Sequence, residues 1–294
     1  MHDLSHCPAL RFRIGILALA MTAACAPISG NAAQPVAGVP FLAHQAQYDL
    51  SLVKSRGTSA DGASGRILYR FSGNACEGYT SEYRQVSEMT SEGGDTVLTD
   101  LRSTSWEDGK GRSFRFKIAT RMNDGNKSQV DGIAERSGDK IAVKLKQPVA
   151  KTFTLDGNIV FPTEQVQRII AAAKQGKSLL ELAVYDGSDN GQKVYDTLAV
   201  IGKPIAGDKP GSAPDPSTAS DQMKKLTRWP VTVSYFDREA KPNSGEQTPV
   251  YAMSFELFED GVSRALVLDY NDLVLSGTLG KFDVATAKDV KPCN

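Results

Sequence analysis

The chain has 294 residues, of which 40% are hydrophobic, and its 34 Lys and Arg residues balance 34 Asp and Glu residues. A chain this apolar is not intrinsically disordered, and a formal net charge of zero lacks the basic excess typical of nucleic-acid-binding proteins. The length suits one large domain or two small ones, with enough residues to bury a sizeable core. We therefore expect a globular protein with no nucleic-acid partner.

The N-terminal residues resemble a secretory leader. Arg11 and Arg13 precede a short apolar run at 14–21, which passes into small residues around Ala23. A basic flank, a short apolar segment and small residues are typical of a signal peptide, and the run is shorter than the ~20 residues of a membrane-spanning helix. We predict that residues 1–33 are a signal peptide, that the mature chain is 34–294, and that it is periplasmic and not membrane-spanning.

A lipoprotein is the alternative interpretation of the leader. The sequence Thr22-Ala23-Ala24-Cys25 places a cysteine after small residues, as a lipid-attachment site does. Such a site normally has an aliphatic residue at the position of Thr22, so cleavage near Ala33 and a soluble mature protein are favoured.

Removal of the leader leaves two cysteines, Cys76 and Cys293. Two cysteines in an oxidising compartment predict a disulfide bond, which we interpret as a structural staple. A redox pair is usually close in sequence, and a structural zinc site needs four ligands, whereas His44 is the one histidine left. We expect no metal and no cofactor.

Apolar residues alternate with polar ones along most of the mature chain, which predicts antiparallel strands with one buried face. The clearest stretches are 114–118, 141–145, 231–235, 251–257, 266–270 and 273–279. Turn sequences such as Asp108-Gly109 and Ser137-Gly138-Asp139 separate the strands. We predict a mainly all-β fold of a dozen or more strands: a curled antiparallel β-spiral or open barrel-like sheet.

Two segments depart from the strand pattern. After Phe161-Pro162, an apolar face with Val166 and Ile169 predicts one amphipathic helix, capped by Thr163 and ended by Gly176. Residues 203–221 are rich in Pro, Gly, Ser and Asp without apolar periodicity, which predicts a flexible surface loop with few ladder partners.

The sequence offers little catalytic chemistry. A catalytic triad would have to use His44, which we interpret as a solvated residue at the start of the first strand. The carboxylate pairs Glu107-Asp108 and Glu259-Asp260 adjoin turn glycines and are interpreted as turn residues. We therefore predict no catalytic residues and no enzymatic activity.

The sequence Asp186-Gly187-Ser188-Asp189-Asn190-Gly191 imitates the first half of a calcium-binding loop. Thr197 stands where the bidentate glutamate would be, and strands are predicted on both sides. A hairpin turn is therefore favoured over a calcium site.

Sequence blocks along roughly 240 residues, in their order, resemble the cell envelope integrity EipB family of periplasmic proteins. The blocks with this resemblance include 48–50, 65–67, 76–80, 106–108, 161–163, 171–173, 186–189, 196–202, 228–231, 234–236, 249–251, 261–264 and 268–270. The resemblance implies a β-spiral around a central cavity, a disulfide between Cys76 and Cys293, and a non-enzymatic role in maintaining the cell envelope. The 203–221 insert departs from a plain family member.

Two classes of function stay open from the sequence. The first is a periplasmic protein that acts through an envelope protein partner, and the resemblance favours it. The second is a carrier or sensor that binds a lipid, an acyl chain or a lipoprotein inside the curled sheet. Its lining would include Tyr251, Met253, Phe255 and Leu257, although ordinary core packing is the favoured interpretation of these four residues.

Overall fold

A computed structural model describes residues 39–56, 60–91, 93–123, 125–211, 215–239 and 247–285. The predicted signal peptide at 1–33 lies outside these residues. The strands are β1 His44–Ser55, β2 Ala60–Asn74, β3 Gly78–Ser91, β4 Thr96–Glu107, β5 Ser113–Met122, β6 Asn126–Ser137, β7 Lys140–Gln147, β8 Lys151–Asp156, β9 Ile159–Val160, β10 Leu179–Val184, β11 Tyr195–Ile201, β12 Ile205–Ala206, β13 Thr227–Asp237, β14 Tyr251–Phe258, β15 Ser263–Asp269 and β16 Leu273–Val284. The helices are α1 Pro162–Lys174, α2 Pro216–Ala219 and a 3-10 turn at Met223–Lys225.

The strands form one sheet that curls round on itself. Its order runs from β8 back through β1, continues through β16 to β13, and ends at β11, β10 and β9. The two edge strands, β8 and β9, are joined by only two residues, Gly157 and Asn158, so the opposite edges of the sheet must meet. All pairs are antiparallel except β9 with β10, and the predicted curled antiparallel fold is confirmed.

Side chains, not ladder hydrogen bonds, close the seam between the two edges. One buried cluster joins the two sides of the seam: Phe114 and Phe116 of β5 belong to it together with Phe161 and Tyr185, which follow β9 and β10, and Phe153 of the edge strand β8 packs against it. Phe114 stacks on Phe161 at 5.2 Å between ring centroids, and Phe116 meets Tyr185 edge-on at 5.7 Å. The hydrophobic effect therefore holds together two edges that do not pair.

Helix α1 lies inside the curled sheet. Its Ile169, Ile170 and Ala173 are buried in the largest core cluster, together with side chains of β1, β2, β11 and β13–β16. The prediction of one amphipathic helix is confirmed. No helix in the described ranges is long and apolar enough to cross a membrane.

The N-terminus of α1 is capped differently from the prediction. Thr163 lies within the first turn, and the N-cap position is Phe161, whose side chain makes no capping bond. The Glu107 carboxylate, at the end of β4, instead accepts the backbone N–H groups of Thr163 (2.7 Å) and Glu164 (3.0 Å). Pro162, at the first helical position, has no N–H that needs an acceptor, so the carboxylate serves the N–H groups of the next two residues.

The C-terminus of α1 follows the prediction. Gly176 has φ +72°, its N–H binds the Ala173 carbonyl, and Lys177 binds the Ala172 carbonyl. These two bonds form a Schellman motif, which favours glycine at the left-handed position.

Antiparallel pairing sorts the strand ends into two groups. Strands β1, β3, β5, β7, β10, β13 and β15 end at one end of the sheet, which we call the upper end. Strands β2, β4, β6, β8, β11, β14 and β16 end at the opposite, lower end. The described parts of the connection between β11 and β13, 203–211 and 215–226, therefore lie at the lower end.

Segment 203–221 has more regular structure than its composition predicted. Strand β12 pairs with β13, and α2 has a capping box in which the Asp215 side chain accepts the N–H groups of Ser217 and Thr218. Ser217 is fully buried. Within the described part of the segment, only Ile205 and Ala206 of β12 pair in a ladder, as expected of few ladder partners. The short helix was not predicted, because Asp-Pro-Ser-Thr is a helix start as well as a loop composition. The flexibility of 203–221 stays a prediction.

Candidate functional site

The curled sheet encloses a cavity of about 960 Å³. This volume lies at the upper end of the range of roughly 300–1,000 Å³ in which small-molecule sites fall. Side chains on the inner faces of β1–β6, β11 and β13–β15, together with Val166 of α1, line it. All four residues that the sequence offered as a lining, Tyr251, Met253, Phe255 and Leu257, lie on its wall.

Tyrosines dominate the aromatic lining. Seven of the nine tyrosines in the chain face the cavity: Tyr48, Tyr69, Tyr83, Tyr195, Tyr235, Tyr251 and Tyr270. Four of them form a continuous row, because Tyr235 and Tyr251 are cross-strand partners. The ring centroids are 6.2 Å apart from Tyr195 to Tyr235, 5.7 Å from Tyr235 to Tyr251, and 5.0 Å from Tyr251 to Tyr270. The wall thus combines apolar ring faces with hydroxyl groups.

The cavity tyrosines are neutral hydrogen-bonding groups. Burial raises the pKa of Tyr48, Tyr83, Tyr235 and Tyr251 above the ordinary value of 10. Several hydroxyls are already engaged: Tyr48 donates to the Ser263 carbonyl at 2.7 Å, and Tyr235 to Gln165 at 3.3 Å. The wall can therefore place uncharged hydrogen bonds along an otherwise apolar ligand.

The cavity opens at the upper end. Four of its lining residues are exposed: Ser128, Asp189, Val250 and Tyr270. All four lie on strands or connections at the upper end, whereas Leu257 and Leu266, toward the lower end, are buried. The exposed residues therefore mark a mouth at the upper end of the sheet.

Charged groups concentrate near this mouth. Lys193 forms ion pairs with Asp189 at 3.2 Å and Asp237 at 2.8 Å, and these carboxylates raise the pKa of its ammonium. The Tyr195 hydroxyl donates at 2.7 Å to Asp189 Oδ2, the same oxygen that Lys193 pairs with. The cavity thus has an apolar interior and a polar entrance.

The calcium-like sequence at 186–191 is part of the β10–β11 connection at this entrance. Its side chains satisfy their own turn: Asp186 Oδ1 accepts the Ser188 N–H at 2.9 Å, and Asn190 Oδ1 accepts the Gln192 N–H at 3.0 Å. Burial raises the pKa of Asp186. The loop is built as a turn, with strands on both sides.

An ion network that the sequence analysis missed fixes the lower end. Arg228 and Arg264 are buried, and both donate to Glu256 Oε2, at 2.6 Å and 2.5 Å. Arg264 also pairs with Asp215, and Arg228 donates to the carbonyls of Ala206 (2.9 Å) and Lys209 (2.8 Å). The network attaches segment 203–221 to the sheet. Both arginines lie in blocks that carry the family resemblance, 228–231 and 261–264, but the local pattern did not predict that they are buried.

Other residues singled out in the sequence also differ from expectation. His44 is 3% exposed, packs near Tyr69, and binds the Leu42 carbonyl through Nδ1 at 2.7 Å. The prediction of a solvated histidine is wrong, because β1 is a central strand between β2 and β16, and burial lowers the pKa of this ring.

The two carboxylate pairs have mixed outcomes. Asp108 accepts the N–H groups of Lys110 and Arg112 in its turn, as predicted. Glu107 is buried instead as the cap of α1, and burial raises its pKa to about 7.

In the second pair, Glu259 accepts the Thr227 N–H and forms an ion pair with Lys174. Asp260 lies in the β14–β15 turn, where burial raises its pKa to about 6.

The predicted disulfide is untested because Cys293 lies outside the described residues. Cys76 lies in the β2–β3 turn, where Asn74 Oδ1 accepts its N–H at 2.8 Å. Both this turn and the end of β16 are at the lower end. The bond stays a prediction.

Comparisons with known proteins agree with this architecture. A family model described as EipB-like matches residues 35–286. The cell envelope integrity protein EipB of Brucella abortus (strain 2308) is 33% identical over 267 residues, which cover 90% of this chain and 92% of that protein. A crystal structure from Brucella abortus, described as a beta-barrel-like protein of a domain of unknown function, matches with a TM-score of 0.76. It is 31% identical, and the match covers 85% of this chain and 100% of that one. The chain belongs to the EipB-like family.

Proposed function

We propose that this protein supports the integrity of the cell envelope by binding an amphiphile, a lipid or an acyl chain, in the cavity of its curled sheet. The name of its Brucella relative supports the envelope role. The observation that supports an amphiphilic ligand is the cavity of about 960 Å³, which has an apolar interior and a polar mouth. An acyl chain would lie along the buried side chains while its polar head stays at the entrance.

A role without catalysis fits the same site. The polar groups at the mouth are already engaged with one another, as in the Lys193–Asp237 ion pair. Burial raises the pKa of the inner tyrosines, so their hydroxyls stay protonated at neutral pH and serve as hydrogen-bond donors. These features support a carrier or sensor in the periplasm, the compartment that the predicted leader implies.

The test is ligand binding by the full mature chain. Lipid extraction and mass spectrometry of protein purified from its native envelope should recover bound lipid, and a long-chain fatty acid should bind in solution. Met253→Trp places an indole in the cavity wall, and we expect it to weaken fatty-acid binding at least about tenfold by occupying the space.

Val267→Trp is the matched control, because Val267 is exposed on the outer side of neighbouring β15 and does not line the cavity. Its affinity should equal that of the wild type, and thermal melting checks that both variants fold. No bound lipid, or equal affinities in the two variants, would reject the cavity as the ligand site.

A protein partner is the second candidate, and the unpaired edge of β8 supports it. In the sheet order, β8 is an edge strand that pairs with β7 alone, and most of its side chains are exposed. Such an edge can accept a strand from another protein. A photo-crosslinker at Thr152 should capture an envelope protein that the same crosslinker at the exposed Val200 does not, and equal capture at both positions would reject the edge as the contact.

A further inference from the structure

Exposed apolar side chains gather at the upper end of the sheet. Eleven large hydrophobic residues are exposed in the described part of the chain. Six of them lie at or beside the upper strand ends: Val53, Leu98, Met122, Val149, Val250 and Tyr270. Val250 and Tyr270 also line the mouth of the cavity. The apolar exposure is therefore concentrated around the opening.

Two neighbouring hairpins carry two of these residues, one of them the most exposed of the six. Met122 ends β5, and Val149, which is 72% exposed, lies between β7 and β8. Since β6 pairs with both β5 and β7, the two hairpins are neighbours, and the β5–β6 tip extends beyond the end of β7, because Gln147 pairs with Asp131 and not with Asn126. They present two apolar side chains at the same end of the sheet.

Four exposed cations flank these apolar residues: Arg121, Lys127, Lys146 and Lys151. Among the described residues, no ion pair involves any of the four, and Lys151 contacts Gln192 instead. The one carboxylate in the sequence of either tip is Asp124, which lies outside the described residues. The described residues of the two hairpins thus form a basic rim, defined here as residues 121–123, 125–127 and 146–151.

The register places like charges opposite each other in this rim. Arg121 is the direct cross-strand partner of Lys127. Like charges opposite each other destabilise a sheet, and an external anion relieves the repulsion. Arg84 and Arg102 are also cross-strand partners, and there the chain supplies the anion itself, because Asp100 lies at 3.0 Å and 2.9 Å from them. Asp100 is the cross-strand partner of Arg121 as well, but its ion pairs among the described residues are with Arg84 and Arg102.

We propose that the basic rim docks on an anionic phospholipid bilayer, with Met122 and Val149 inserted among the headgroups and the cations on the phosphates. Apolar residues surrounded by Lys and Arg are the composition of interfacial membrane-binding surfaces. Docking in this way turns the cavity mouth toward the membrane. The proposal goes beyond ligand binding and concerns a different set of residues from those that line the cavity interior.

Vesicle co-sedimentation of the full mature chain tests the charge requirement. We expect binding to vesicles that contain phosphatidylglycerol, little binding to pure phosphatidylcholine vesicles, and loss of binding as salt is raised, because salt screens the attraction. Lys127→Gln combined with Lys146→Gln should lower partitioning to anionic vesicles at least about tenfold.

The matched control removes the same charge at the lower end. Lys110 and Lys177 are exposed there, and Lys110→Gln combined with Lys177→Gln should leave partitioning unchanged. Equal loss in the two double variants, equal binding to neutral and anionic vesicles, or no binding at all would overturn the proposal. The last result would direct the search to a protein surface as the partner of the rim.

Fluorescence tests insertion. Val149→Trp should shift its emission to the blue on anionic vesicles and be quenched by brominated lipid. Leu179→Trp, at an exposed site of the lower end, should do neither, and a shift in both or in neither contradicts the proposal. Fatty-acid binding without vesicles should be normal in all rim variants, so failure of docking and failure of the cavity as a ligand site are separate results.

Discussion

The lower and upper ends of the curled sheet are built by different interactions. At the lower end, buried ion pairs of Arg228 and Arg264 tie segment 203–221 to the sheet, and Met223, Phe258 and Val262 form a small core. At the upper end, the charged pairs are solvated and large apolar side chains are exposed. The difference indicates that the lower end contributes more to the stability of the fold, while the upper end leaves the cavity open to solvent.

The largest difference should come from the buried network. Arg264→Ala leaves Asp215 and Glu256 without one buried cation, and breaking such a pair costs about 3–5 kcal/mol of unfolding free energy. Arg56→Ala removes an exposed pair with Asp269 at the upper end, which should cost at most about 1 kcal/mol. Urea denaturation of both variants measures the difference. Equal losses of unfolding free energy in the two variants would contradict the claim that the ion pairs of the lower end contribute more to stability than those of the upper end.

The predicted disulfide is a second element of lower-end stability. Cys76→Ala should lower the unfolding free energy by about 2–4 kcal/mol, because the reduced unfolded chain gains entropy. Cys293→Ala and the double variant should show the same loss, and reductant should reproduce it in the wild type. Thiol titration of the unfolded, unreduced protein checks the bond directly: two free thiols would show that it does not exist.

The Glu107 cap should make stability depend on pH. Burial raises its pKa in the folded chain to about 7 from an ordinary 4.5, so below pH 7 the folded state binds a proton that the unfolded state does not. The stabilisation is therefore complete below about pH 4.5 and is lost as pH rises through 7.

Glu107→Gln removes this titrating group. Between pH 8 and pH 5, the unfolding free energy of the wild type should rise relative to that of the variant by roughly 2–3 kcal/mol. Asp260 and Asp186 are common to both proteins, so their titration cancels in the difference. A difference between the two proteins that is flat with pH would contradict the buried cap.

The smallest expected effect concerns the end of α1. Gly176→Ala forces alanine into φ +72°, where an added Cβ meets no atom within 4 Å, so the cost of about 1 kcal/mol is conformational alone. Gly62→Ala is the control, because its Cβ is equally free and its φ is not positive. Thermal unfolding should separate the two variants, and equal melting temperatures would argue against the Schellman motif.

Periodicity was enough to predict the sheet and α1. The inner face of a curled sheet is apolar in every strand, whichever strand it pairs with, so alternation alone predicts which side chains are buried. Alternation along 114–118 and 251–257 correctly placed four residues on the buried face: Phe114, Phe116, Phe255 and Leu257. Gly176 was correctly predicted as the end of α1 for a similarly local reason, because the left-handed backbone conformation after a helix favours glycine.

Contacts between distant residues could not be predicted in this way. Glu107 caps a helix that begins 55 residues later, and Arg264 reaches Asp215 across 49 residues. The same local sequence, an acidic residue beside a turn glycine, fits both a turn and a buried cap. The tyrosine row likewise arises from the pairing of β13 with β14, which a single sequence does not reveal.

The most direct test of the cavity as a ligand site is to locate a bound chain. A fatty acid with a photoreactive diazirine at its methyl end, bound to the full mature protein and irradiated, can be mapped by mass spectrometry. We expect adducts on Phe255, Leu257 or Leu266, deep in the cavity, and competition by unlabelled fatty acid. Adducts confined to the outer face of the sheet, or no saturable labelling, would contradict the account.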